Sequence, residues 1–439
     1  MGGVGFCAKT IWNANVRCVW GPDLVQTSAR NESFGEGGHF MLMWRGMRAA
    51  AIAVMLCAAM SGARAQGQSP DGATQSQRGD RLLEEMKRLT EAPGPPGAEG
   101  PVRELMAEYM KPYVTKITYD GLGSVIAQQG TTGPRIMVDA HMDELGAEVR
   151  HVRNDGYISV QMLGYWLPQA LADQRWTILG SKGPVLAVSQ LLDAHVSGEF
   201  RRTADDHTEY FMDVGAKNAA DVTAMGIGPG DPIVPVSSFE VLPNGRYLGK
   251  AWDDRVGCIA MIEAARRLAT EPHPNQIFYT ATIQEEGSEE MRGAITSAHI
   301  INPDIGIALE VGITNDTPGN RPEAALETLG GGPGIMLYGF SEFPNRNLVK
   351  FQQKVAAEMK IPLQYDFVQG FGDDAGAIKL NGGGVPVTTL LVPTRSTHTH
   401  NGIIDRQDFD QTVDLLVAML QKLDADTVAK IKSFDSAGK

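Results

Sequence analysis

The chain has 439 residues and carries 39 Lys and Arg against 52 Asp and Glu, which gives a formal net charge of −13. This acidic balance argues against a nucleic-acid-binding protein, whose surfaces are basic. The composition, 43% hydrophobic and 21% charged, is that of a globular protein and excludes disorder as the main state. Four scattered cysteines exclude a disulfide scaffold and a cysteine-rich zinc module.

Residues 1–65 have the pattern of an over-extended start followed by a secretory signal peptide. Arg45 and Arg48 precede an apolar run over residues 49–60, and a small-x-small cleavage pattern ends at Ala65. The run is shorter than the roughly 20 residues that cross a bilayer, so we expect no permanent membrane anchor. The sequence therefore predicts a secreted or periplasmic protein.

The pattern after residue 65 predicts an α/β fold. Residues 66–78 are mostly Gln, Ser, Gly and Asp, which predicts a flexible leader. Short apolar runs predict buried strands at residues 136–138, 277–283, 305–311 and 387–392. Helical spacing of apolar residues predicts helices near residues 82–89, 102–110, 256–268, 348–359 and 409–423. The alternation predicts a mixed sheet flanked by helices on both faces.

Residues 154–244 differ from the rest of the chain. They contain short alternating segments, such as residues 157–160 and 176–179, separated by turns rich in Gly, Pro and Asn. We interpret this stretch as a small β-rich domain inserted into the α/β domain. The α/β domain then consists of residues 79–153 and 245–434.

Metal-ligand residue types lie at or just after the carboxyl ends of the predicted strands. They are His141 and Asp143, Glu285 and Glu286, Glu310, and His398, with Asp253 ahead of a predicted helix. The carboxyl ends of parallel strands form one edge of an open sheet, where ligands bind, so we expect these side chains to converge there. Two histidines with several carboxylates suit zinc, cobalt or manganese in a catalytic site. The surplus of carboxylates indicates two ions that share one bridging carboxylate, an arrangement that activates water.

Each of these residues also has a simpler interpretation on its own. Asp253 or Asp254 could be a first-turn helix acid, and Glu285 with Glu286 could be a solvated strand end. Of His398 and His400, one could be a ligand and the other a bystander. The sequence has no Gly-x-Ser-x-Gly elbow, phosphate-binding loop or His-Glu-x-x-His helix, so the joint placement of the acids and histidines is the strongest signal.

Four motifs together identify a family resemblance. They are Ala140-His-Met-Asp-Glu-Leu-Gly146, Gly249-Lys-Ala-Trp-Asp-Asp-Arg-Val-Gly257, Gln284-Glu-Glu-Gly287 and Pro393-Thr-Arg-Ser-Thr-His398. In this order they resemble the glutamyl and tetrahedral aminopeptidase family of dimetal peptidases. The similarity extends over nearly all of the chain after residue 65.

The resemblance implies a role for each residue of the predicted site. His141 and Glu310 would hold one metal ion, Glu286 and His398 the other, Asp253 would bridge them, Glu285 would be the general base, and Asp143 would orient the His141 ring. Zinc is the expected metal, with cobalt or manganese as alternatives. The resemblance further implies peptide substrates and a homo-oligomer, with the inserted domain serving oligomerisation and access to the site.

The sequence thus predicts a secreted or periplasmic dimetal aminopeptidase that removes N-terminal residues from peptides. It departs from the family pattern at Glu310, where Asp is usual, and at Ser396, where Tyr is usual. A related co-catalytic zinc carboxypeptidase or acyl-amino-acid hydrolase is one alternative, because the same metal cage serves both ends of a peptide. A non-catalytic metal- or peptide-binding protein is the alternative from another class.

Overall fold

The computed structural model of the protein describes residues 75–190, 210–287, 290–319 and 327–434. The predicted start and signal peptide, residues 1–65, and most of the predicted leader lie outside these ranges. The first helix begins at Gln75, inside the stretch predicted as leader. Gln and Arg favour helix, and no Gly or Pro interrupts the chain between Gln75 and Arg78. Among the described residues, no helix is long and apolar enough to cross a membrane.

The described ranges contain nine α-helices. They are α1 Gln75–Glu91, α2 Gly100–Met110, α3 Ala219–Met225, α4 Trp252–Leu268, α5 Arg292–Ile301, α6 Arg346–Met359, α7 Ala375–Ile378, α8 Arg406–Lys422 and α9 Ala425–Lys432. The predicted helices over residues 82–89, 102–110, 256–268, 348–359 and 409–423 are confirmed. Helix α4 begins at Trp252, earlier than its apolar pattern indicates, so its first turn contains Asp253 and Asp254.

The strands form two separate sheets. They are β1 Lys116–Tyr119, β2 Val125–Gln129, β3 Arg135–His141, β4 Gly146–Val152, β5 Ile158–Leu163, β6 Arg175–Gly180, β7 Gly183–Gln190, β8 Phe211–Asp213, β9 Pro232–Pro235, β10 Glu240–Leu242, β11 Arg246–Gly249, β12 Gln276–Thr282, β13 Ile305–Ile313, β14 Gly334–Gly339, β15 Gln364–Val368, β16 Val387–Arg395 and β17 Gly402–Asp405. The four strands predicted from apolar runs are confirmed as β3, β12, β13 and β16.

The large sheet is mixed, as predicted, and its centre is parallel. Strands β12, β3, β13 and β16 are consecutive neighbours, and each neighbouring pair runs parallel. Alternate side chains enter two cores: Ile136 and Val138 pack with α1, α2, α4, α6 and α8, whereas Met137 packs with α5 and α7. Helices therefore cover both faces of the sheet, and the carboxyl ends of all four parallel strands meet at one edge.

The second sheet is a closed barrel in the order β4, β5, β8, β7, β6, β9. It has its own core, in which Trp176, Ile178 and Met212 are fully buried. Its strands lie between residues 146 and 235, so they begin before the predicted insert and end before its predicted limit. Strand β4 follows β3 after only four residues, and no change in composition marks that boundary. The residues of β10 lie inside the range predicted as the insert, but this strand pairs with β11 in the large sheet.

Candidate metal centre and active site

The sheet topology brings the predicted ligands to one edge. His141 is the last residue of β3, Glu285 and Glu286 follow β12, and His398 follows β16. Glu310 lies inside β13 and not at its end, because β13 continues to Ile313. Since these strands are neighbours, residues far apart in sequence lie side by side.

Asp253 lies between the two histidines. Its Oδ1 is 3.0 Å from Nε2 of His141, and its Oδ2 is 3.2 Å from Nε2 of His398. The neighbouring Asp254 is buried and accepts a hydrogen bond from the backbone N–H of Gly257. The interpretation as a first-turn helix acid therefore fits Asp254, whereas Asp253 faces both histidines.

Within the described residues, two groups of side chains have ligand atoms that lie within 4.8 Å of one another. One contains His141, Asp253 and Glu310, and the other contains Asp253, Glu286 and His398. Oε1 of Glu286 is buried and has no hydrogen-bond partner in the part of the chain that the structure describes. Imidazole nitrogens and carboxylate oxygens are suitable donors for divalent transition metals, so the site fits two cations that share Asp253.

Main-chain carbonyls orient both histidine rings. Nδ1 of His141 lies 3.1 Å from the carbonyl oxygen of Asp143, and Nδ1 of His398 lies 2.6 Å from that of Tyr165. A carbonyl oxygen only accepts hydrogen bonds, so each Nδ1 carries the hydrogen, and in the neutral ring Nε2 has a free lone pair. In that form the lone pair of each Nε2 is on the side of Asp253, where a cation would be bound by both groups.

The carboxylate of Asp143 holds a different segment from the one that its predicted role names. Its oxygens accept hydrogen bonds from the backbone N–H groups of Glu285, at 3.1 Å, and Glu286, at 2.9 Å. The nearest carboxylate oxygen is 3.7 Å from Nδ1 of His141, farther away than the Asp143 carbonyl. The Asp143 side chain thus fixes the two glutamates, and its main chain contacts the His141 ring.

The side chains of Glu285 and Glu286 diverge. Oε1 of Glu286 is 4.0 Å from Nε2 of His398, whereas Oε2 of Glu285 is 3.9 Å from Nε2 of His141. The Glu285 side chain is 12% exposed, against 4% for Glu286. Glu285 is therefore the more accessible of the two carboxylates, at the rim of the cluster.

The crowding of acids shifts their ionisation. Burial raises the pKa of Glu286 to about 7 and holds the pKa values of Glu285 and Glu310 well above their usual range, with neighbouring carboxylates adding to these shifts. Burial alone would lower the pKa of His398, but Glu286 and Asp253 raise it to about 10. This concentration of negative charge is the environment that divalent cations stabilise.

Of the two neighbouring histidines considered from the sequence, only His398 reaches the cluster. His400 is buried, and its ring packs 5.2 Å from that of Trp166 and 4.5 Å from that of Trp176. A small pocket opens on the Asp253 and His398 side of the cluster, and Trp166, Ser396 and Thr397 contribute to its wall. Ser396, a departure from the family pattern, therefore lies beside the cluster.

Sequence analysis missed a buried ion pair that borders the cluster. Nζ of Lys250 lies 2.6 Å and 2.5 Å from the two carboxylate oxygens of Glu144. Nη2 of Arg255 lies 3.7 Å from the same carboxylate, and Arg255 also donates to the carbonyls of Leu89 and Met142. All three charged residues lie within the motifs quoted above, but a motif does not reveal that a lysine and an arginine are buried.

The chain is similar in sequence to known aminopeptidases. Residues 123–415 match the family model described as M42 glutamyl aminopeptidase. A lysyl aminopeptidase of Pyrococcus furiosus is 34% identical over 344 residues, which cover 77% of this chain and 96% of that protein.

Two solved structures have the same fold. A TET aminopeptidase from a marine sediment archaeon, Thaumarchaeota archaeon SCGC AB-539-E09, superposes with a TM-score of 0.78 at 38% identity, over 81% of this chain and 99% of that one. The TET1 peptidase of Pyrococcus horikoshii, which can assemble into a tetrahedron or a large octahedral shell, has a TM-score of 0.71 at 25% identity, over 78% and 100%. The chain therefore belongs to the M42 glutamyl aminopeptidase family of dimetal metallopeptidases, and is a peptide hydrolase that removes N-terminal residues.

Proposed function

We propose that the protein is an exported aminopeptidase whose centre is built from the residues predicted above. His141 and Glu310 hold one divalent cation, Glu286 and His398 hold the other, and Asp253 bridges them. The observation that carries this assignment is the position of the Asp253 carboxylate between the two histidine rings, at 3.0 Å and 3.2 Å. Zinc is the proposed metal, because it suits mixed imidazole and carboxylate ligands; cobalt and manganese remain alternatives for the test.

The ions, when bound, supply Lewis acidity for the scissile carbonyl and for water. The chain supplies the proton transfer: Glu285, at the accessible rim, takes a proton from the attacking water and delivers it to the amine that leaves. Without bound cations, burial raises the pKa of Glu285 well above its usual range; cations in the cluster would lower that pKa and leave Glu285 ionised, as a general base must be. Asp143 positions this step, because its carboxylate holds the backbone N–H of Glu285.

The direct test is mass spectrometry of a short peptide, with a free or an N-acetylated N-terminus, after incubation with the zinc-loaded full chain. We expect stepwise loss of residues from the free peptide and no cleavage of the acetylated one. Trimming from the C-terminus would instead support the carboxypeptidase alternative. Binding of peptide and metal without cleavage would support the non-catalytic alternative.

The preferred N-terminal residue is left to experiment. The family model is named for glutamyl substrates, and the relative from Pyrococcus furiosus for lysyl substrates. Ser396, which lies in the wall of the pocket beside His398, is one residue that differs from the family pattern there. A panel of peptides that differ only in the first residue measures the preference directly.

Export is supported by the basic residues, apolar run and cleavage pattern of residues 45–65. We expect N-terminal sequencing of the protein from its native host to begin at Gln66, and the protein to be found in the periplasmic or extracellular fraction.

A homo-oligomer is supported by the assembly of the TET1 peptidase of Pyrococcus horikoshii. In this part of the proposal, the barrel contributes to assembly and to access to the site. Light scattering of the purified chain measures the size of the assembly and tests it.

A further inference from the structure

The backbone after strand β5 passes directly against the second ligand group. Gly164 has a φ of +83°, and a Cβ added there would lie 2.0 Å from Cδ2 of Leu145 and 3.1 Å from Oε2 of Glu286. Glycine suits this position because its φ is in the region that other residues rarely adopt, and a side chain here would also force the Leu145 side chain to move. Residues 164–167, which follow strand β5 of the barrel, thus lie against the candidate metal centre.

This segment holds His398 at two points. The carbonyl of Tyr165 accepts from Nδ1 of His398 at 2.6 Å, and the backbone N–H of Leu167 donates to the carbonyl of His398 at 3.1 Å. His398 itself has a φ of +56°, in the left-handed region that costs a non-glycine residue on the order of 1 kcal/mol. Such a conformation persists only where contacts hold it, and these two contacts hold both the ring and the main chain.

Trp166, between the two contacting residues, is the anchor of the segment. Its Nε1–H lies 3.0 Å from the carbonyl of Gly146 and 3.1 Å from that of Leu163, so it joins the start of β4 to the end of β5. Its ring packs at 5.1 Å against Trp176 and at 5.2 Å against His400. Trp166 is 8% exposed, so its polar and ring contacts are made in the interior.

We propose that Trp166 is a positioning residue for the second metal site, because it holds the Tyr165 carbonyl and the Leu167 N–H against His398. The two histidines then differ in their support: the His141 ring is oriented from its own strand end, by Asp143, and the His398 ring from the inserted barrel. The barrel therefore affects the affinity of one of the two metal sites. This inference rests on the proposed role of His398 as a ligand.

The proposal makes a different prediction from a purely structural role for Trp166 in the barrel core. A core defect lowers the stability of the barrel and leaves the relative affinity for the two ions unchanged. Loss of the positioning contacts weakens the site of Glu286 and His398 and spares that of His141 and Glu310. The decisive measurement is therefore zinc affinity, read by competition with a chelator, with thermal unfolding measured on the same samples.

Two variants remove the positioning contacts. Trp166→Phe keeps an aromatic ring and removes the Nε1–H. We expect it to lower the affinity for one of the two zinc ions by about 10–100-fold. Leu167→Pro removes the N–H that holds the His398 main chain. Proline suits this position, because Leu167 has a φ of −67°. The difference in zinc affinity between Leu167→Pro and Leu167→Ala isolates that N–H, since both lose the same side chain.

Ile158→Ala is the control for barrel stability. Ile158 is fully buried in the same core but lies at the opposite end of β5 from Leu163. We expect this variant to unfold at a lower temperature and to keep both zinc affinities. His398→Ala completes a double-mutant cycle, in which the effect of Trp166→Phe on zinc affinity disappears because the affected site is already lost.

The outcomes separate this inference from the proposed function. Wild-type protein that binds fewer than two zinc ions, or that leaves peptides intact, contradicts the proposed function itself. Wild-type protein that binds two ions and cleaves peptides, together with Trp166→Phe protein of unchanged zinc affinity, overturns only the role of Trp166. An effect of Trp166→Phe that persists in the His398→Ala background overturns it as well.

Discussion

The carboxylate of Glu144 and the ammonium of Lys250 form an ion pair whose shortest distance is 2.5 Å, and both residues are buried. Glu144 comes three residues after His141, and Lys250 comes three residues before Asp253. The pair thus connects the two chain segments that carry His141 and Asp253, two members of the first candidate ligand group. Burial lowers the pKa of Lys250, and the charge of Glu144 opposes that shift.

Replacement of Lys250 by Met should destabilise the protein strongly. It leaves the Glu144 carboxylate buried without its closest partner, and removal of one member of a buried pair costs about 3–5 kcal/mol of the free energy of unfolding. Lys87→Met is the matched control, since Lys87 forms an exposed pair with Glu91 that contributes about 0.3–0.5 kcal/mol. Urea denaturation measures the free energy of unfolding of both variants. Equal losses in the two variants would contradict the structural role of the Lys250 pair.

The bridging position of Asp253 predicts how many ions each variant loses. Asp253→Ala removes the carboxylate common to both ligand groups, so we expect it to retain neither ion after gel filtration in metal-free buffer. His398→Ala removes a ligand from one group, so it should retain one ion. Elemental analysis together with protein concentration gives the number of metal ions per chain. If Asp253→Ala keeps two ions per chain, Asp253 is not the bridge.

Glu285→Gln separates metal binding from proton transfer. Glutamine has the same shape but accepts no proton, so we expect the rate of peptide hydrolysis to fall by about 100- to 10,000-fold or more. Both ions should remain, because Glu285 belongs to neither ligand group. The comparison with Glu290→Gln, a nearby glutamate whose side chain is 70% exposed, controls for loss of one negative charge. Undiminished hydrolysis by Glu285→Gln would exclude it as the base.

Metal binding should release protons and strengthen as the pH rises. In the metal-free protein the pKa of Glu286 is raised to about 7 and that of His398 to about 10, so at pH 6 both groups are mostly protonated and a cation must displace these protons, whereas at pH 8 Glu286 has already lost its own. The apparent zinc affinity therefore increases from pH 6 to pH 8. Calorimetric titration in buffers with different ionisation enthalpies counts the released protons. The same heat in every buffer would mean that no proton is released.

The sequence was sufficient to predict the four central strands of the large sheet and the convergence of the candidate ligands. Apolar runs marked β3, β12, β13 and β16, and the rule that ligands bind at the carboxyl ends of parallel strands placed their acids and histidines together. Glu310 lies inside the run predicted as a strand over residues 305–311, but the continuation of β13 to Ile313 was not predicted, because the apolar run does not reveal where a strand ends. The barrel strands begin at Gly146, before residue 154 where the insert was predicted to start, because β3 passes into β4 through a four-residue link that no change in composition marks.

Contacts made by the main chain could not be predicted at all. The carbonyl of Tyr165 orients His398, and any residue at position 165 provides a carbonyl, so no residue type signals it. The burial of Glu144, Lys250 and Arg255 likewise depends on how the chain segments around residues 89–94 and 142–145 pack. These features depend on tertiary structure, which the local pattern of residues does not specify.

The distribution of the ligands along the chain has a consequence for synthesis. They come from separate segments between His141 and His398: Asp253 lies in the first turn of α4, and the others lie on or after neighbouring strands at the parallel centre of the mixed sheet. A nascent chain on the ribosome that has reached only β13 contains His141, Asp253 and Glu310 but lacks the histidine of the second group. The ligand set of the proposed two-ion centre is therefore complete only after synthesis of β16 and the turn after it, so binding of the second ion, and with it proteolytic activity, comes late in folding.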